Sequence, residues 1–151
     1  MSVSTDGLLF YGWLFEEGAE FPWEDYEEEE WWKQVAGYKK LHDLYDLYDR
    51  RGVFRPGVTP EMVTAEYEHQ REWDKANPLP FKVVNYCSDS CPIYALAVGE
   101  VLTAARGYPI ALVPSDLVVD EMVIVKVREV CRAHGVNLDG EPKWYLASYW
   151  G

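Results

Sequence analysis

Four residues in this chain have types and spacing that could hold a metal ion. Cys87 and Cys91 are separated by three residues, and Cys131 and His134 by two. Three thiolates and an imidazole would suit tetrahedral zinc. Two features oppose it. Cys131 falls on the apolar face of an expected helix, where a thiol serves as a small buried hydrophobe. Cys87 and Cys91 flank an expected hairpin turn and could equally be a simple thiol pair. No metal or other cofactor is expected. Nucleophilic chemistry finds less support, because no Ser or Cys sits in a Gly-x-Ser-x-Gly elbow. His69 belongs on the inner face of a helix as a satisfied, partly buried side chain, and His42 lies in an acid-rich connection. Neither has an identifiable partner. Neither Gly-x-Gly-x-x-Gly nor a P-loop occurs. The chain is therefore read as a binding protein and not as an enzyme.

The strongest local feature is acidic. Residues 16–30 hold nine acids and no base: Glu16, Glu17, Glu20, Glu24, Asp25, Glu27, Glu28, Glu29 and Glu30. Trp23, Trp31 and Trp32 lie within or beside the run. A ladder of carboxylates can imitate the charge spacing of a nucleic-acid backbone, and tryptophan supplies contact area at interfaces. These twelve residues form the expected partner-binding patch. The plain alternative is a solvated face with a favourable helix start. The run lacks the residue order of a calcium loop. Lys39, Lys40, Arg50, Arg51 and Arg55 are the main basic clusters, and they are expected to balance the acids internally.

Composition agrees with a binding role. Acids number 26 against 14 bases, a net charge of −12 in 151 residues. Such a charge disfavours direct attraction to nucleic acid or anionic lipid and suits basic partners. Hydrophobic residues make up 48% and aromatic residues 15%, too apolar for a disordered chain. Three cysteines argue against a disulfide framework. The opening residues carry no basic-then-apolar leader, and no apolar run approaches membrane-helix length. Cytoplasmic placement is expected.

Several elements must position these residues. Leu8–Phe15 reads as a buried strand, with Gly12 marking a bulge or a close backbone approach. A short helix is expected near 25–36, with Trp31, Trp32, Val35 and Ala36 as its apolar stripe and Gly37 as terminator. Residues 38–58 carry two Leu-Tyr-Asp triplets before turn signals and read as an irregular or hairpin-like connection. Thr59-Pro60-Glu61 starts a helix that runs to about Ala76. Met62, Ala65, His69, Trp73 and Ala76 share its inner face. Phe81–Cys87 and Pro92–Val98 form a hairpin around Ser88-Asp89-Ser90. Val101–Val113 is a third run with a kink at Gly107 and Pro109. Asp120 caps a helix over 121–134 that Gly135 ends, with Val123, Val127, Val130 and Cys131 inward. Lys143–Trp150 is a last strand. This order predicts an α+β fold in a single domain, with a mostly antiparallel sheet of about five strands packed against two or three helices.

The aromatic strand around Gly12, Phe21-Pro22-Trp23, Val84-Asn85-Tyr86-Cys87, Gly107-Tyr108-Pro109 and Glu141 to Gly151 together give a resemblance. Over most of its length the chain resembles small acidic proteins encoded by tailed bacteriophages and prophages. That group has no established activity, and so the resemblance implies no site residue. It does imply a bacterial host cell and, by analogy, an inhibitor of a host protein or defence system, of the anti-CRISPR or nucleic-acid-mimic kind. Two other readings remain open: a binder of a small molecule such as a nucleotide signal, with Arg50, Arg51 and Arg55 meeting phosphates, and an assembly protein that self-associates through aromatic surface.

Overall fold

The computed structural model describes residues 5–24, 27–42 and 54–150. The chain divides into two compact units, one of residues 1–28 and 79–151 and the other of residues 29–78.

Among the described residues the first unit holds five strands, an α-helix and a 3-10 turn (Pro114–Leu117): β1 (Thr5–Leu14), β2 (Lys82–Ser88), β3 (Cys91–Ala97), β4 (Leu102–Ala104), β5 (Lys143–Trp150) and α3 (Glu121–Ala133). β1 pairs antiparallel with β5 from Thr5↔Trp150 to Gly12↔Lys143. Its far end pairs with β3, from Gly12↔Ala97 to Leu14↔Ala95. β2 and β3 form the expected hairpin. A short parallel pairing sets Cys87 and Ser88 against Tyr149 and Trp150. The pairings β1–β5–β2–β3–β1 thus return to their start, and β4 adds to β1 at Gly7–Leu9. The α+β class stands, with a mostly antiparallel sheet and one parallel pair.

Alternation along the strands builds the core. Leu8 and Phe10 of β1, Val84 of β2, and Ala95 and Ala97 of β3 form one buried cluster, and Tyr86, Tyr145, Ala147 and Tyr149 pack on it. Ala95, Ala97 and Ala147 share this cluster with the large rings of Phe10 and Tyr145, whose centroids lie 5.7 Å apart. Gly12 sits between two neighbouring strands. A Cβ there would lie 1.8 Å from the Leu96 carbonyl oxygen, and so the close backbone approach expected from the sequence is present. On the alternate positions Trp13 faces Leu96 in register, and both are buried. The Trp13 indole Nε1 donates to the Gly140 carbonyl at 3.1 Å, and the Arg128 guanidinium lies 5.1 Å from the indole centroid.

α3 begins as its sequence demands. The Asp120 carboxylate accepts the Met122 N–H at 2.8 Å, satisfying one orphan donor of the first turn. At the other end Gly135 takes φ +82°, and the Val136 N–H returns to the Cys131 carbonyl at 2.8 Å. Val127 and Cys131 are fully buried.

The third apolar run departs from expectation. Only Leu102–Ala104 is strand, and residues 105–113 leave the sheet. The cause is local. The Asp6 carboxylate takes the Arg106 N–H, a turn closes from the Tyr108 N–H to the Ala105 carbonyl, and Gly107 adopts φ +80°. Pro109 and Pro114 then lack the N–H that a ladder needs.

The second unit holds α1 from Glu29 onward (α1 spans Glu28–Val35) and α2 (Pro60–Ala76). α1 ends in the same way as α3: Gly37 has φ +79°, and the Tyr38 N–H reaches the Lys33 carbonyl at 2.8 Å. Thr59 caps α2 through the Met62 N–H, and Asn77 closes it. The inner face of α2 differs from the apolar stripe expected. Its buried residue is Glu66, at 2% exposure, while Ala76 is exposed. Within the connection expected at 38–58, residues 43–53 lie outside the described residues, including Arg50 and Arg51.

Candidate functional site

The acidic segment begins where β1 ends. The Phe15 N–H still reaches the Tyr94 carbonyl, and the chain then turns through Gly18 at φ +77°. A run of rings holds the loop down. Phe21 meets Phe15 edge-on at 4.8 Å and stacks on Trp23 at 5.0 Å, and Trp23 lies 5.8 Å from Phe81. The Glu24 carboxylate folds back onto the Phe21 N–H at 3.2 Å. The rings anchor inward, and the carboxylates of Glu16, Glu17, Glu20 and Glu24 remain exposed.

The tryptophans are therefore placed differently from their expected role. Trp23 is 7% exposed and Trp31 3% exposed, so neither offers an accessible contact face. Trp32 is half-buried, and its indole N–H donates to the Asn77 carbonyl at 3.0 Å. Indole area is large and costly to leave in water, and burial wins. Of the twelve expected patch residues the acids are what face solvent. Glu27, Glu29 and Glu30 are exposed and Glu28 is half-buried, while Asp25 lies outside the described residues. Glu28 to Glu30 form the first turn of α1, where negative charge offsets the unpaired N–H groups. Glu30 also pairs with Lys33 at 3.1 Å.

Geometry adds a feature that composition does not carry. Glu16, Glu17 and Glu20 line a groove of about 370 Å³ together with Asn137 and Asp139, from the loop after α3. Trp13, Phe15 and Phe21 contribute apolar lining. Acids from segments more than a hundred residues apart in sequence thus meet over apolar carbon. Such a groove suits a side chain with an aliphatic stem and a cationic head, because carboxylates accept charge-assisted hydrogen bonds from it. The Asp139-Gly140 pair reads in sequence only as a turn, so its place at the groove had no sequence signal.

The second unit carries its own polar centre. The Glu66 carboxylate accepts the Tyr38 hydroxyl at 2.7 Å and the His42 N–H at 2.7 Å. Burial works to raise its pKa, but the bonds from Tyr38, His42 and Leu41, with help from His69, outweigh burial and hold it below the usual 4.5. Burial and the Glu66 carboxylate push the Tyr38 phenol well above its usual 10.0. Tyr38 also stacks on His69, whose Nε2 lies 2.9 Å from the Lys39 carbonyl. His69 is thus the satisfied histidine its helical position suggests. A cavity of about 480 Å³ adjoins this centre, lined by Glu30, Lys33, Tyr38, Lys40, Glu66 and Tyr67 among others.

The cysteine set is not brought together. Cys131 is buried in α3, where burial pushes its thiol up to about 12, and Cys87 and Cys91 are exposed on the hairpin. Among the described residues no cluster of three or more His, Cys, Asp or Glu could hold a metal. No helix of the described residues is long and apolar enough to cross a membrane. Comparison with protein-family models, with curated proteins and with solved structures found no match.

Proposed function

We propose that this chain is a binding protein that engages a basic partner through the groove of Glu16, Glu17, Glu20 and Asp139. The observation that carries the reading is the convergence of these four carboxylates, from two distant segments, on one groove with apolar lining. A net charge of −12 raises the encounter rate with a cationic protein. The partner best suited is one that binds nucleic acid, since its own binding site is already shaped for closely spaced anions. The resemblance to phage-encoded acidic proteins would make that partner a bacterial host protein, held out of action by occupation of its binding surface. Glu27, in the same unit, would add to the attraction.

The test is retention of a basic, nucleic-acid-binding protein from bacterial lysate at low salt. The wild-type chain should hold it, and 0.5 M salt should release it. The Glu16→Gln, Glu17→Gln, Glu20→Gln variant should lose at least about tenfold in affinity and most of the salt dependence. Equal retention by this variant at both salt levels would sink the reading.

A second reading rests on the cavity beside Tyr38. Lys33, paired with Glu30, and Lys40 bring positive charge there, Glu30 and Glu66 bring negative charge, and Tyr67, Gln34 and Gln70 supply hydrogen-bonding groups. A small molecule with both an anionic end and hydrogen-bond donors, such as a nucleotide with its base, would fit that chemistry. A thermal-shift panel of nucleotides in large excess should then raise stability by mass action, and a flat panel would remove this reading.

A further inference from the structure

After β4 the chain exposes what a monomer usually hides. Between Gly107 and Val119 there is one charged residue, Asp116, in a chain that otherwise carries acids throughout. That carboxylate is already engaged by the Val113 N–H at 2.8 Å. The apolar side chains are left in water: Tyr108 and Val118 are 76% exposed and Met122, in the first turn of α3, 72%. Ile110, Leu112 and Val113 are about half exposed. Exposed apolar side chains concentrated in one short stretch of chain are what interaction sites show, and four of these six lie within Tyr108–Val113.

The backbone is equally unsatisfied. Among the described residues no hydrogen bond is made by the main chain of Ile110, Ala111 or Leu112. Val113 is in extended conformation. A charge-free segment with open N–H and C=O groups at Ile110 to Leu112 can template strand addition, and Pro109 and Pro114 confine that opening to a short stretch.

We propose that the segment Tyr108–Val113 pairs with the same segment of a second copy of this chain, about a two-fold axis. The sequence is self-complementary under that operation. With the axis at Ala111, Ile110 of each copy faces Leu112 of the other, and the small Ala111 meets itself. Residues directly opposite then share a face, as antiparallel pairing requires. Pro109 and Pro114, which have no N–H, end the ladder on either side. Charge selects the site as well. Two copies at −12 each repel one another over most of their surface, and the neutral segment is where they can meet. Added salt therefore strengthens this contact by screening the repulsion, whereas it weakens a complex held by the acidic groove.

Sedimentation of the full chain over a range of concentrations tests the pairing. The expected result is a shift from one-chain to two-chain mass that moves to lower concentration in 0.5 M salt. The Ile110→Glu, Leu112→Glu variant alters only exposed positions, and it should weaken the dimer at least about a hundredfold. Amide exchange at residues 110–112 should slow as wild-type concentration rises. A one-chain mass at every concentration and salt overturns the proposal. So does a dimer that the double variant leaves intact, or one whose protected amides lie outside 108–113.

Discussion

The two units are held together by opposite means. The β unit is centred on carbon: Phe10, Val84, Leu96 and the alanines around them are buried with no charge among them. The helical unit is centred on an ion. Among the described residues its least exposed is Glu66, and the carboxylate ties Tyr38 and the 41–42 backbone to α2. A carbon centre fails when its shape is changed. An ion centre fails when its charge is changed. The same chain therefore should respond to two different insults in two different places.

The largest effect is expected from shape. Gly12→Val drives a side chain into the Leu96 backbone, which has no flexible end to move aside. A loss of about 3 kcal/mol or more should appear in denaturant unfolding of the β unit, at the upper end of overpacking costs. Phe10→Ala should cost a similar ~3–5 kcal/mol through the cavity it leaves. If Gly12→Val melts like wild type, β1 and β3 do not approach as described.

Charge should give the next largest effect, and only in the helical unit. Glu66→Ala strips partners from a phenol and two main-chain N–H groups, and about 2–3 kcal/mol should go with them. The pH dependence has a definite sign. The folded Glu66 pKa is depressed, so its contribution is complete above the usual 4.5 and is lost as pH falls below that towards the folded value. Tyr38 bounds the other side, since a raised phenol pKa removes stability as pH climbs past 10.0. NMR signals of α2 should broaden or shift in acid before those of β1 and β5 do. Simultaneous loss would show that the carboxylate does not set the acid limit of this unit.

The smallest effect sharpens the comparison from the other direction. Arg128 is a cation at the edge of the β unit's buried residues, set over the Trp13 ring and bonded to the Gly140 carbonyl and Glu141. Because it is partly exposed, Arg128→Ala should cost only about 1 kcal/mol. It should also free the 135–141 loop that lines the acidic groove, seen as faster amide exchange at Asn137 to Asp139.

Much of this fold was legible in the sequence wherever one residue type had one physical use. Thr59-Pro60, Asp120, Gly37 and Gly135 mark helix ends because few residues can satisfy orphan N–H groups or adopt positive φ. β5 was legible from its aromatic run after the Asp139-Gly140 turn. What failed depended on partners far along the chain. The run Val101–Val113 has strand composition, yet a short stretch of β1 and a turn at Gly107 limit its pairing to three residues. The tryptophans near the acids suggest a contact surface, but their neighbours Phe21, Phe81 and Asn77 draw them inward or tie their N–H groups. Glu66 was missed because helical periodicity counts apolar residues, and a buried carboxylate with three donors breaks that rule. The groove needed Asp139 to meet Glu16, and spacing cannot convey a meeting across that distance.

The circuit of strands carries a temporal consequence. β1 finds its longest mate in β5, with Thr5 opposite Trp150. Every strand in between is synthesised before that mate exists. While the ribosome works through α1, α2 and α3, the Leu-Leu-Phe-Tyr stretch of β1 must wait with half its edge bare. At ~5–20 residues synthesised per second the wait lasts on the order of ten seconds. A chaperone that shelters early hydrophobic segments should find its first grip there, and yield of intact protein in the cell should depend on that shelter more than on the stability of the finished fold.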